Sequence, residues 1–234
     1  MIMKRVILFG VSNLTRVLKA YLDADERYEL LAFTVEADYI EGEDFMGLPV
    51  RAFESLRDYY DMESIEIIPA IAYSNMNKNR EKVFQKCYKH KYKICTYLSP
   101  SVQNYADEIG EGCIILDGCM LKPYCRIGKG NYMGANTFIA HDVNVGDFNY
   151  FAGSNVTGGF TEIGSYNFLG AGAMVESGHR IGNENLLAAG VCVAENIEDN
   201  MVISPPPNRV KKASARAMDV FLMRRGENTF TVKH

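Results

Sequence analysis

The stretch from Ile109 to Glu198 divides without a gap into fifteen groups of six residues: IGEGCI, ILDGCM, LKPYCR, IGKGNY, MGANTF, IAHDVN, VGDFNY, FAGSNV, TGGFTE, IGSYNF, LGAGAM, VESGHR, IGNENL, LAAGVC and VAENIE. The first position is apolar in fourteen of the fifteen, Thr157 being the exception, and the second is Gly or Ala in twelve. Ile-Gly or Val-Gly recurs every 18 residues, at positions 109, 127, 145, 163 and 181. Three hexads per 18 residues indicate a triangular coil that repeats along an axis.

Each hexad predicts one short strand and one corner of a parallel β-helix. The apolar first residue points into the prism, Gly or Ala at the second position lets neighbouring coils approach closely, and a small or amide side chain fills the fifth. Stacked at strand spacing, five coils form a prism on the order of 24 Å tall. Left-handed corner conformations favour Gly and Asn. To these corners we assign the asparagines at the fifth position: Asn131, Asn149, Asn155, Asn167 and Asn185.

Composition separates the chain into two different halves, because sixteen of its twenty glycines lie between Gly110 and Gly190. Cys113, Cys119 and Cys125 occupy the fifth position of successive hexads, on three different sides of one coil, so we expect interior fillers and not a metal site. The six cysteines form no CxxC pair, which indicates reduced thiols and a cytoplasmic protein.

Charge and hydropathy narrow the range of partners. The net charge of −4 gives no reason to expect nucleic acid or an anionic membrane surface. The apolar run Val6–Phe9 is too short for an export signal, and no apolar stretch is long enough for a membrane span.

Residues 4–98 alternate strand-like apolar runs with helical patterns, which predicts a small parallel sheet covered by helices, with ligands at the carboxyl ends of its strands. We expect its last strand over Lys93–Leu98. The first turn has one glycine, Gly10, where a GxGxxG dinucleotide site has three, which argues against a nicotinamide dehydrogenase. Ser12 and Asn13 are candidates either for binding a phosphate at the helix start or for ordinary capping.

The predicted domains are an α/β domain over 1–100, the β-helix over 101–212, and a C-terminal helix and tail over 213–234, with the helix from Ala213 to Arg225. Residues 199–234 carry seven basic and three acidic side chains, a local balance of +4. This end of the chain is either a solvated cap or a site for an anionic ligand.

His141 is the candidate for acid–base chemistry. It lies at the third position of its hexad, at an outward-facing corner, and Asp142 follows it directly. A histidine beside a carboxylate is suited to removing a proton from a hydroxyl or an amine.

Over residues 3–212 the chain resembles the hexapeptide-repeat sugar acyltransferases of the sialic acid O-acetyltransferase and bacillosamine N-acetyltransferase type. The stretch from Ile139 to Phe148, IAHDVNVGDF, looks like the catalytic segment of that family, in which a His-Glu or His-Asp pair precedes an Ile/Val-Gly hexad. The resemblance implies a left-handed β-helix and a homotrimer with sites between subunits. It also implies acetyl transfer from acetyl-CoA to a nucleotide-linked sugar in glycan biosynthesis, with no metal.

The resemblance assigns roles to individual residues. His141 corresponds to the general base and Asp142 to the carboxylate that raises its basicity, while Gly159 is a candidate amide donor to the oxyanion. The other positions expected to contact the coenzyme are Tyr150, Ala171 and Ala189, together with Arg209, Lys211 and Lys212 for its phosphates.

On the sugar side the chain departs from the family. The first turn reads Gly10-Val11-Ser12-Asn13-Leu14 without the usual histidine, and the acidic pair after the second strand is displaced to Glu36 and Asp38. Tyr150 replaces a histidine, and Gly134 stands where the amino-sugar enzyme has an asparagine. The expected substrate-binding residues are Gly10, Ser12, Asn13, Glu36 and Gly134.

Two alternatives stay open. A zinc hydratase on the same prism would bind its metal with three histidines from neighbouring subunits, whereas the prism has His141 and His179 only. A non-catalytic scaffold would keep the prism and lose its acceptor site. The acceptor sugar, N- versus O-transfer, and acyl-CoA versus an acyl carrier protein as donor are also left open.

Overall fold

The computed structural model describes residues 3–206, and its N-terminal part is built on six strands: β1 (Lys4–Phe9), β2 (Tyr28–Val35), β3 (Asp44–Phe45), β4 (Leu48–Ala52), β5 (Ile65–Pro69) and β6 (Lys93–Ile94). They form one sheet in the order β3-β4-β2-β1-β5-β6. All neighbours are parallel except β3 and β4, an antiparallel hairpin at the edge. The sequence did not reveal this hairpin because its strands are short.

Three α-helices accompany the sheet: α1 (Asn13–Asp23), α2 (Leu56–Tyr59) and α3 (Lys78–His90), with 3₁₀ turns at Ala37–Tyr39 and Phe53–Ser55. Within residues 3–206, no helix is both long and apolar enough to span a membrane. The spacing of apolar residues in this segment predicts an amphipathic helix from about Asn75 to His90. The helix begins at Lys78 because Asn75, Met76 and Asn77 all have left-handed backbones, with φ of 53°, 44° and 64°.

The rest of the described chain is a three-sided prism of two-residue strands, each pairing in parallel with the strand one coil above and below it. The first face contains Tyr97–Leu98, Ile114–Ile115, Tyr132–Met133, Tyr150–Phe151, Phe168–Leu169, Leu186–Leu187 and Val202–Ile203. The second contains Gln103–Asn104, Met120–Leu121, Phe138–Ile139, Val156–Thr157, Met174–Val175 and Cys192–Val193. The third contains Glu108–Ile109, Arg126–Ile127, Asn144–Val145, Glu162–Ile163 and Arg180–Ile181.

The prism begins earlier than the hexads indicated. Tyr97 and Leu98 pair with Ile114 and Ile115, so the prediction of one strand from Lys93 to Leu98 is wrong in its second half. The chain leaves the α/β sheet after Ile94 and enters the first face at Tyr97. The predicted fold class, an α/β domain followed by a left-handed parallel β-helix, is confirmed. The predicted C-terminal helix lies outside the described residues.

The close approach predicted at the second position is present. A Cβ added to Gly170 would lie 2.5 Å from the backbone nitrogen of Ala189 in the next coil, and one added to Gly134 would lie 2.6 Å from the carbonyl oxygen of Ala152. Real side chains do not tolerate such distances to backbone atoms. Glycine at these second positions therefore sets the spacing of the coils.

The assignment of asparagines to left-handed corners is wrong. Positive φ occurs at the fourth position of fourteen successive hexads, from Gly112 to Gly190, and Asn136 is the one asparagine among them. The fifth-position side chains point inwards instead. There the side-chain amides of the asparagines form hydrogen bonds with backbone groups of neighbouring coils. Asn131, Asn149, Asn167 and Asn185 form a buried ladder, in which each side-chain oxygen accepts a hydrogen bond of 2.8 Å from the backbone nitrogen of the next asparagine. The three cysteines Cys113, Cys119 and Cys125 are buried, as predicted.

The α/β domain covers the first face of the prism. Tyr97, Ile114 and Tyr132 share one hydrophobic cluster with strand residues of the sheet. Arg80 of α3 joins the two parts more specifically, because its buried guanidinium donates to the carbonyl oxygens of Gly130 at 2.7 Å and Asn149 at 3.0 Å, and to Ile71 at 3.0 Å. Burial without a carboxylate partner lowers the pKa of Arg80 to about 10.

Candidate functional site

His141 and Asp142 lie at the corner that joins the second face to the third. Asp142 takes the left-handed corner conformation, with φ of 58°, and this turns its carboxylate towards the preceding imidazole. The distance from His141 Nδ1 to Asp142 Oδ2 is 2.8 Å, and the His141 side chain is 55% exposed. With Nδ1–H donated to the carboxylate, Nε2 is the ring nitrogen free to accept a proton.

Gly159 lies one coil above His141, against the imidazole. A Cβ at Gly159 would come within 2.8 Å of His141 Cε1 and 3.0 Å of Nε2, so the ring occupies the space that a side chain would fill. The ring of Phe160 packs edge-on against the imidazole with 5.1 Å between centroids. Within residues 3–206, no acceptor is found for the Gly159 N–H. An imidazole, a carboxylate and a backbone amide without an acceptor in residues 3–206 thus lie together at this corner.

The other residues expected to contact the coenzyme are not at this corner in the same chain. Tyr150 lies on the first face, stacked between Tyr132 at 4.4 Å and Phe168 at 5.6 Å, with Tyr73 edge-on. Ala171 and Ala189 are exposed at the corner between the first and second faces. The predicted phosphate partners Arg209, Lys211 and Lys212 lie outside the described residues.

The second candidate site is a pocket of about 930 Å³ at the carboxyl edge of the α/β sheet, where ligands of such sheets were expected. Gly10, Ser12 and Glu36 line it. Gly10 has φ of 124°, and an added Cβ would lie 3.1 Å from the carbonyl oxygen of Ala70, so the turn requires glycine. The carboxylate of Glu36 pairs with Lys86 of α3.

Ser12 is the N-cap of α1. Its hydroxyl accepts from the Thr15 amide, and Thr15 Oγ1 accepts from the Ser12 amide in return, a capping box. Asn13 is exposed and does not line the pocket. Gly134 does not line it either, because it is buried beneath Ala152 in the prism.

Sequence reasoning missed one wall of this pocket. Asn79, Lys82, Val83 and Lys86 of α3 all line it. Their spacing of three and four residues places them on one face of the helix and was a readable signal. The pattern was interpreted only as an amphipathic helix.

The pocket and the His141 corner lie on opposite sides of one chain. The α/β domain covers the first face, and the His141 corner is the vertex opposite that face. The sixth residue of each hexad points outwards, and on the second face these residues are apolar: Met120, Phe138, Val156, Met174 and Cys192. On the third face they are polar or charged: Glu108, Arg126, Asn144, Glu162 and Arg180.

Within residues 3–206, no group of three or more His, Cys, Asp or Glu side chains is placed to hold a metal ion. No protein-family model matches the chain, and no curated protein sequence matches it significantly. Its similarity to known proteins is instead found by comparison of three-dimensional structures.

Several solved structures have the same architecture at low sequence identity. The acetyltransferase domain of PglB from Neisseria gonorrhoeae superposes with a TM-score of 0.76 at 18% identity, over 88% of this chain and all (100%) of that domain. The same domain has been solved with acetyl coenzyme A. PerB from Caulobacter crescentus, in complex with CoA and GDP-perosamine, gives 0.67 at 22% identity, over 88% of this chain and 96% of PerB.

WeeI from Acinetobacter baumannii gives a TM-score of 0.64 at 16% identity, over 90% of this chain and all (100%) of WeeI. These matches extend across both parts of the chain and span the whole length, or nearly the whole length, of the neighbours. The chain therefore has the fold of the PglB acetyltransferase domain and of PerB, an α/β domain followed by a left-handed parallel β-helix.

Proposed function

We propose that this protein transfers an acetyl group from acetyl-CoA to an amine or hydroxyl of a nucleotide-linked sugar. The observation that carries the proposal is the His141 corner, where Nδ1 is 2.8 Å from Asp142 Oδ2 and the ring rests on Gly159. The shared fold supports the choice of substrates, since the PglB domain has been solved with acetyl coenzyme A and PerB with CoA and GDP-perosamine.

The reaction is a direct displacement at the thioester. His141 Nε2 removes a proton as the acceptor nitrogen or oxygen attacks the carbonyl carbon, and Asp142 keeps the imidazole oriented. The N–H of Gly159 donates to the oxyanion of the tetrahedral intermediate. When the carbon–sulfur bond breaks, the proton on His141 passes to the departing CoA thiolate. The acetyl group goes straight from donor to acceptor, and no covalent enzyme intermediate forms.

The acceptor reaches His141 from a neighbouring subunit in this proposal. A sugar nucleotide in the α/β pocket lies across the prism from the histidine of its own chain, so one chain does not complete the site. The apolar second face supplies a surface for a second copy, because its outward side chains lack charge. We therefore propose a homotrimer in which coenzyme lies between subunits, near Gly159 of one and Tyr150 of another. Ala171 and Ala189 flank its path.

The test of activity is acetyl-CoA consumption, followed by thiol release, with a panel of UDP-, dTDP- and GDP-linked amino- and deoxy-sugars. Turnover with at least one acceptor is expected, and mass spectrometry of the product distinguishes N- from O-acetylation. A well-folded protein that binds acetyl-CoA yet turns over none of the panel argues against a nucleotide-linked acceptor. One that does not bind acetyl-CoA argues for a scaffold.

The assembly is tested separately by sedimentation. Met174→Asp places a charge on the second face and is expected to dissociate the trimer and abolish turnover together. The control is Glu162→Lys, which changes an exposed side chain of the polar third face and should leave the assembly unchanged. An active monomer would contradict the shared site.

A further inference from the structure

One wall of the α/β pocket is cationic. The face of α3 that carries Asn79, Lys82, Val83 and Lys86 borders the pocket along two turns of helix. Val83 is buried, and Asn79 donates to the hydroxyl of Ser74, another lining residue, at 3.1 Å. The valine and the asparagine therefore fix this face, and the two lysines extend from it to the cavity.

The start of α1, which also borders the pocket, favours an anion as well. Helix α1 begins at Asn13, directly after the lining residues Gly10 to Ser12. The Ser12 hydroxyl accepts from the amide of Thr15, and the amides of Asn13 and Leu14 precede the first intrahelical donor, Arg16. The positive end of α1 and the lysine face of α3 thus border the same cavity.

The two lysines that line the pocket differ in whether a carboxylate pairs with them. Lys86 pairs with Glu36 at the end of β2. Lys82 has no carboxylate partner within residues 3–206. The remaining acidic lining residues are Glu41 and Asp44, beyond the 3₁₀ turn that follows β2. A group with two negative charges between α1 and α3 would neutralise Lys82 and share Lys86 with Glu36.

We infer that Lys82 and Lys86 bind the diphosphate of the nucleotide sugar and that Glu36 accepts hydrogen bonds from its ribose hydroxyls. The inference rests on the proposed function. A carboxylate at the end of the second strand is the usual ribose partner in open α/β sheets, and lysine binds phosphate as a point charge. In this chain the cations of α3 therefore supply the contacts that a first turn with a single glycine does not.

The experiment is calorimetric titration of the whole protein with UDP, dTDP and GDP and with the corresponding nucleosides. Lys82→Met and Lys86→Met keep the aliphatic stem and remove the charge. The control is Lys89→Met, at a position on α3 that does not line the pocket. Each pocket variant is expected to weaken diphosphate binding about tenfold, the loss of one charged contact, and to leave nucleoside binding unchanged. Added salt should weaken diphosphate binding less in these variants than in wild type.

The outcomes separate the inference from the proposal beneath it. If wild type binds a nucleoside diphosphate and both pocket variants bind it equally well, the lysines do not hold the phosphates and the inference is wrong. If the variants weaken nucleoside and diphosphate alike, the lysines contact the base or ribose, which also overturns it. If wild type binds no nucleotide while acetyl-CoA is still consumed with a free sugar, the nucleotide-linked acceptor itself is wrong.

Discussion

Replacing Gly159 with alanine is expected to displace the His141 imidazole without unfolding the prism. The added Cβ would lie 2.8 Å from His141 Cε1, against about 3.4 Å for an ordinary contact, so the ring must move by roughly 0.6 Å or more. The backbone at Gly159 is not left-handed, so alanine costs no conformational strain there. The clash involves only an exposed side chain, which can rotate.

The consequence is a loss of turnover and not of stability. Moving the ring lengthens the 2.8 Å bond to Asp142 and shifts Nε2 relative to the Gly159 amide. Misplacement of a reacting group by about 1 Å can cost 10²-fold, so we expect kcat to fall by about 10- to 100-fold. The urea midpoint of unfolding should be unchanged within error. The binding constant for CoA should change much less than kcat.

The matched control is Gly170→Ala, at a second position of the repeat. Its Cβ would lie 2.5 Å from the Ala189 backbone nitrogen, where no side-chain rotation relieves the overlap, so this variant should be destabilised by about 1–3 kcal/mol. Full turnover by Gly159→Ala would refute the placement of the imidazole against this glycine. Equal destabilisation of the two variants would refute the distinction between a side-chain and a backbone clash.

Three further expectations follow from other contacts. His141→Ala should lower kcat by about 10² to 10⁴ with little change in coenzyme binding, and unchanged turnover would remove His141 from the mechanism. Arg80→Met should lower the free energy of unfolding by about 2–4 kcal/mol, because it leaves buried carbonyl oxygens of Gly130 and Ile71 unpaired. A loss below about 1 kcal/mol in urea titration would contradict this. The Arg27 side chain hydrogen-bonds to Asp25 and lowers the pKa of its carboxyl. The stability that this pair contributes is present at neutral pH and is lost as pH falls through the lowered pKa. Asp25→Asn should therefore be less stable than wild type at pH 7, and the difference should shrink in acid.

The sequence was sufficient for the architecture because the repeat satisfies one steric condition many times over. Gly170 and Gly134 report the same close approach of coils, so the exceptions at the second position, Leu116, Lys122 and Glu176, do not obscure the pattern. The backbone conformation at the corners of the prism was harder to predict from the sequence. Positive φ occurs at Phe148, Tyr166 and other bulky residues, where the stacked coils impose the backbone strain. The identity of the residue at the fourth position therefore does not predict a left-handed corner.

The outward faces could have been predicted from the sixth letter of each hexad read at a period of 18. That reading gives aromatic and aliphatic residues on the face under the α/β domain, apolar residues on the second face and polar or charged residues on the third. The pocket was harder to foresee, since Lys82 and Glu36 are 46 positions apart in sequence. They line one cavity because β2 and β5, which lie on either side of β1, end at the same edge of the sheet, where Lys86 of α3 pairs with Glu36.

The third position of the hexad distinguishes the His141 corner from the other two corners of the prism. Between the third and first faces the amides are capped from the coil above, Lys129 by Asp147 and Asp147 by Ser165, each at 2.9 Å, so these amides are not open donors. Between the first and second faces the third position carries small residues at four of five coils, Ala171 and Ala189 among them, and the carboxylate of the fifth, Asp117, accepts a hydrogen bond from the Tyr21 hydroxyl of the α/β domain. At the His141 corner the residue one coil above is glycine, which leaves room for the imidazole and offers an uncapped amide beside it. The two groups to which we assign the general base and the oxyanion donor therefore lie in adjacent coils without either one disturbing the stack.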